Sequence, residues 1–105
     1  MFKTISSKIA ARQTIKAQLE RELPPINDAI KEAKEAGKLY THYDGEISKV
    51  TFKLLTKAGY CVENWNVWNA TTRIDWCASY HKISDSAEEV VKIAQEADIK
   101  IVEVQ

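Results

Sequence analysis

Apolar residues recur every third or fourth position in four stretches of the chain, and between them lie short runs of β-branched and aromatic side chains. The first pattern is that of amphipathic helices and the second that of strands. Ser6 and Ser7 offer N-cap hydroxyls, and Ile15, Leu19 and Leu23, extended upstream by Ile5 and Ile9, predict a helix to about Leu23. Its apolar stripe is thin and lined by Lys8, Arg12, Lys16, Glu20 and Arg21, which suits docking on one surface. Pro24 and Pro25 are expected to break or sharply kink the chain, since proline lacks an amide and pushes its predecessor out of the α region.

Pro25 then suits the first turn of a second helix, with Ile26, Ala29, Ile30 and Ala33 on one face and Gly37 as a left-handed cap. Lys38 to Tyr43, before Asp44-Gly45, reads as a strand. A third helix is expected over about Glu46 to Ala58, its apolar face Ile47, Val50, Leu54 and Ala58, flanked by Phe52 and Leu55. Strands over Tyr60–Trp65 and Thr71 to about Ser79 enclose a hairpin loop at Asn66–Ala70. Pairing Val62 with Ile74 and Glu63 with Arg73 avoids the alternative register, which opposes Glu63 to Asp75. Ser86 and Glu89 have capping-box spacing before a fourth helix with Val90, Val91, Ala94 and Ala97 on its apolar face. Ile99 to Val104 reads as a closing strand.

From residue 38 the predicted order is β-α-β-β-α-β. That is an α+β chain of ferredoxin-like type, with two helices on one face of the sheet and an N-terminal helical extension. The corresponding division is an arm over residues 1–23 and one domain over 24–105. The competing arrangement is winged-helix-like: the third helix and the tryptophan-bearing hairpin form one unit, and the last helix and strand an appendage.

Composition narrows the class. A chain of 105 residues with 45% hydrophobic and 29% charged content is expected to form one soluble globular domain. No apolar run approaches the ~20 residues of a membrane span, and the N-terminus lacks an uninterrupted apolar leader, so secretion is not expected. The fifteen basic and fifteen acidic residues cancel, but residues 1–23 carry net +3 and residues 81–105 net −3. The two ends therefore attract, within one chain or between neighbours.

Chemistry-bearing motifs are sparse. Cys61, Cys77, His42 and His81 match no zinc spacing, three glycines cannot form a phosphate-cradling loop, and no hydrolase or metalloprotease motif occurs. No cofactor, metal or enzymatic activity is expected. Lys49, Lys53 and Lys57 line one helix face and, with Tyr40, His42 and Arg73 on the sheet, outline an alternative nucleic-acid surface. Eight of the nine aromatic residues lie between Tyr40 and Tyr80, and Trp65 and Trp68 bracket the hairpin loop, where a tryptophan is hard to bury. Ile9, Arg12 and Leu19 on the arm, with Trp65 and Trp68, are thus the expected partner-binding residues.

The run Ile26-Asn27-Asp28-Ala29-Ile30 to Gly37-Lys38, then Leu55 to Gly59-Tyr60-Cys61-Val62, then Thr72-Arg73-Ile74-Asp75-Trp76, resembles a loose group of small tailed-bacteriophage proteins, many without assigned activity. The resemblance covers about residues 26–76. It implies a phage origin and a non-enzymatic role in the host cytoplasm or the virion. The expected function is that of an assembly or interaction protein, a small homo-oligomer or virion-associated subunit that binds copies of itself or another phage or host protein. A counter-defence protein that sequesters a host protein or a nucleotide signal, with Arg73, Tyr43 and Trp65 lining its pocket, is a further alternative.

Overall fold

The computed structural model describes residue 4, residues 6–66 and residues 70–100, with the backbone alone at positions 65 and 66. The chain divides into two compact units, Met1–Asp75 and Trp76–Gln105. The first contains α1 (Ser7–Glu35), β1 (Tyr40–Asp44), α2 (Lys49–Lys57), β2 (Cys61–Asn66) and β3 (Thr71–Asp75). The second contains α3 (Cys77–Ser84) and α4 (Ala87–Glu96). Among the described residues this is an α+β protein with four helices and a three-stranded antiparallel sheet.

The break expected at Pro24-Pro25 does not occur, and α1 runs through both prolines as one helix of 29 residues. Each proline removes one donor from the helical ladder, leaving the carbonyls of Glu20 and Arg21 without their usual partner. Both prolines are exposed, so water can satisfy those carbonyls. On the opposite face Glu22, Ile26, Ile30 and Ala33 are buried and hold the helix on both sides of the pair. Ser6 caps the start, its hydroxyl accepting from the Ile9 amide at 3.3 Å. At the other end Gly37, at φ +76°, completes a left-handed stop in which Lys38 N–H donates to the Ala33 carbonyl.

The sheet order is β1-β3-β2. In the hairpin Val62 faces Ile74 and Glu63 faces Arg73, the register that keeps like charges apart. Asn64 pairs with Thr72 and Asn66 with Thr71, so β2 carries one extra residue. Burial alternates along the strands. Thr41, Tyr43, Val62, Thr72 and Ile74 form the inner row, whereas Tyr40, His42, Asp44, Cys61 and Glu63 are exposed on the other face. The core joins Ile74 of that inner row to Ile26, Ile30 and Ala33 of α1 and Leu55 of α2.

Three further expectations are corrected. Strand three ends at Asp75, not near Ser79, and helix α3 begins at Cys77. The alternation Ile74, Trp76 stops there; Ala78 to Lys82 contains no β-branched residue, and Trp76, Tyr80 and Ile83 have helical spacing. Helix α2 begins at Lys49 rather than Glu46, behind Ser48 as N-cap, and it buries Thr51 and Leu55 while Phe52 and Leu54 stay exposed. The inward face is set by a polar contact described below, which apolar spacing alone does not reveal. In the second unit Ser86 caps α4 by accepting from the Glu89 amide, as its spacing predicts. Ile99 and Lys100 are not in a strand, and the rest of the expected closing strand lies outside the described residues.

Candidate functional site

Four surfaces carry the candidate residues. The first is the N-terminal half of α1, where every position from 7 to 17 is exposed. Ile9, with 51% of its surface open, and Ile15 are uncovered apolar residues there, and Leu19 is half-buried. Arg12 lies on the same side by helical position. Lys16 and Glu20 form an exposed (i, i+4) ion pair at 3.8 Å, a contact that adds little stability. Helices of about 12–15 residues are marginal without packing, so the half-helix gains little from its own hydrogen bonds.

The second surface is the outer face of the sheet. Arg73 places its guanidinium carbon 4.5 Å from the Tyr40 ring centroid, and its Nε lies 3.7 Å from Asp75 Oδ2. Tyr40 meets His42 edge-on at 5.5 Å. Arg73 is thus engaged by neighbours in its own sheet, and the cation occupies one face of the tyrosine. Cys61 shares this face. Its thiol, 3.7 Å from Glu63 Oε1, is pushed above the ordinary value, first by desolvation and then by the carboxylates of Asp75 and Glu63, with Arg73 opposing. A thiol raised in this way is a poor nucleophile at neutral pH.

The third surface is the exposed row Lys49, Lys53 and Lys57 on α2. Thr51 and Leu55 are the buried side of α2 and its lysines lie on the exposed side, whereas the Tyr40–Arg73 cluster lies on the outer face of the sheet. The residues of the nucleic-acid alternative are therefore divided between two surfaces. Tyr43 lies in the inner row, opposite in facing to Arg73, so the two do not line one pocket. The Trp65 side chain and Trp68 lie outside the described residues.

The fourth surface is in the second unit. No residue of α3 or α4 is buried, and Tyr80, Ile83, Val90 and Ile93 are all between 43% and 50% exposed. With Trp76 and Ser79 they line an apolar groove of about 600 Å³. Sequence reading missed this groove because it assigned Trp76 to Ser79 to a strand.

One buried polar cluster was also unmarked. The Glu22 carboxylate, 2% exposed, accepts from the Ser48 backbone amide, from Ser48 Oγ at 2.7 Å and from Thr51 Oγ1 at 3.2 Å. An anion at the N-terminus of α2 is favourable to the helix dipole, and the cluster ties α1 to α2. A signal was available: Glu22 continues the row Ile26, Ile30 and Ala33 at helical spacing, so a carboxylate stands in line with the core. Among the described residues no group of three metal-ligating side chains converges, and no helix is long and apolar enough to cross a membrane.

No known protein family, curated protein or solved structure matches the chain.

Proposed function

We propose that the protein is a non-enzymatic assembly subunit that binds copies of itself through the N-terminal half of α1, in keeping with the phage-type role that its sequence resemblance implies. The observation that carries this reading is an exposed, basic, apolar-striped half-helix continuous with a helix anchored in the core. Continuity with the anchored half sets where the arm emerges, and Ile9, Arg12, Ile15 and Leu19 supply contact area and charge. The raised Cys61 thiol and the engaged Arg73 support a binding role over nucleophilic chemistry. The order β1-β3-β2, in which β3 lies between the ends of a β-α-β crossover, supports a split βαβ reading of the first unit. A winged-helix-like reading draws on the same order, with α2 and the β2-β3 hairpin as its unit.

The test is deletion of residues 1–17. Cutting further, through residue 23, would remove Glu22 and confound assembly with folding. The truncated chain should show a lower mass by light scattering than the full chain, with an unchanged circular dichroism signature for the sheet. An unchanged mass would refute the reading.

A further inference from the structure

Resting on the assembly reading, we infer that the basic half of α1 from one copy seats in the apolar groove between α3 and α4 of a second copy. The two surfaces match in chemistry. The arm presents Ile9, Ile15 and Leu19 interleaved with Lys8, Arg12 and Lys16 at every fourth position. Its aliphatic residues need apolar cover, and the lysine and arginine stems add to that contact while their charged heads reach the rim. The groove offers Tyr80, Ile83, Val90 and Ile93, each 43–50% exposed. Glu89 and Glu96, seven residues apart, run along the flank of α4 beside Ile93, and Glu89 also borders the adjoining pocket with Lys82. An apolar trough with an acidic edge fits an apolar ridge with basic neighbours.

Net charge follows the same division. The unit Met1–Asp75 has twelve basic and nine acidic residues, and the unit Trp76–Gln105 has three basic and six acidic. Attraction between unlike surfaces on separate copies steers encounter and fixes polarity. Because arm and groove are different patches, the contact is head-to-tail. Two copies exchanging arms close a dimer, and one-way exchange extends a chain.

The experiment uses full-length protein and light scattering at low and high salt. Two charge-reversed variants are compared, Arg12→Glu/Lys16→Glu on the arm and Glu89→Lys/Glu96→Lys on the groove flank. All four positions are exposed, and circular dichroism checks the fold. Ile93→Asp serves as an independent groove variant. The wild-type mass should fall as salt screens the contact. Each variant alone should have a mass reduced about twofold or more. An equimolar mixture of the two charge-reversed variants should regain it, since each arm then meets a groove of opposite sign. A wild-type oligomer that no variant perturbs overturns the arm-in-groove contact and leaves assembly standing. Masses lost in each variant but not regained on mixing also overturn the pairing. A wild-type monomer at every salt overturns both.

Discussion

Glu22 shows how much depends on one side chain. Its carboxylate serves three donors from Ser48 and Thr51, and Thr51 is itself fully buried. Replacing Glu22 with Ala strands the buried Thr51 hydroxyl and the half-buried Ser48 hydroxyl and amide, a loss of about 2–3 kcal/mol that urea unfolding should register as a lower midpoint with an unchanged slope. Glu22→Gln, which retains one acceptor, should cost less. The residue was legible only as an anomaly, a charge in line with an apolar row, because spacing reports which face is buried and not which polar group it receives. Cys61 supplies a second residue-level expectation. Its thiol holds a proton to higher pH than an ordinary cysteine, so iodoacetamide alkylation in a Cys77→Ser background should have its pH midpoint displaced to the alkaline side. Glu63→Gln removes the carboxylate charge beside the thiol while keeping an amide oxygen as acceptor, and should bring the midpoint down. The sign for stability follows: the raised value adds stability below the ordinary thiol range, and this is lost as pH rises through the folded value.

Element by element, the chain announces its stops more clearly than its turnings. Gly37 and Gly59 stand where left-handed backbone is needed, and both helices before them end as their sequence predicts. The Pro24-Pro25 pair predicts a break or sharp kink, yet the helix continues through it with buried residues on both sides, and the helix following β3 was hidden behind a two-residue alternation at Ile74 and Trp76. Helix α4 uses the same left-handed stop without a glycine. Asp98 sits at φ +56°, its amide donating to the Gln95 carbonyl, with Ile99 N–H reaching the Ala94 carbonyl. A side chain there bears a left-handed penalty, and its carboxylate faces the negative end of the helix dipole. Asp98→Gly should therefore raise the helix content of the second unit and stabilise it by about 0.5–1 kcal/mol, read as a higher thermal midpoint by circular dichroism.

For the molecule as a whole, burial is unevenly shared. All the fully buried aliphatic residues among those described, Ile26 and Ile74 foremost, belong to the first unit, and none of α3 or α4 is buried. Amide exchange should follow that division. In dilute protein the amides of α3 and α4 should exchange much faster than those of β3, α2 and the second half of α1. If copies seat arms in the groove, raising protein concentration should protect α3, α4 and residues 7–19 together, while the core amides stay unchanged. Equal protection of all elements in dilute protein would contradict the division. The class of fold was legible because it depends on periodicity and turn chemistry, whereas the groove depends on where one strand ends, a matter settled by packing.

The prolines inside α1 have a consequence for cooperativity. An ordinary helix frays and re-forms along one uninterrupted ladder, so disturbance at one end is felt along its length. Here two successive rungs are absent, those that positions 24 and 25 would send to the carbonyls of Glu20 and Arg21. The gap acts as a firebreak. Unwinding that starts at Ser7 halts before Ile26, and the buried half keeps its register whether the exposed half is wound or loose. The arm can thus postpone its ordering until a surface is present to hold it, and can change in sequence without disturbing the core.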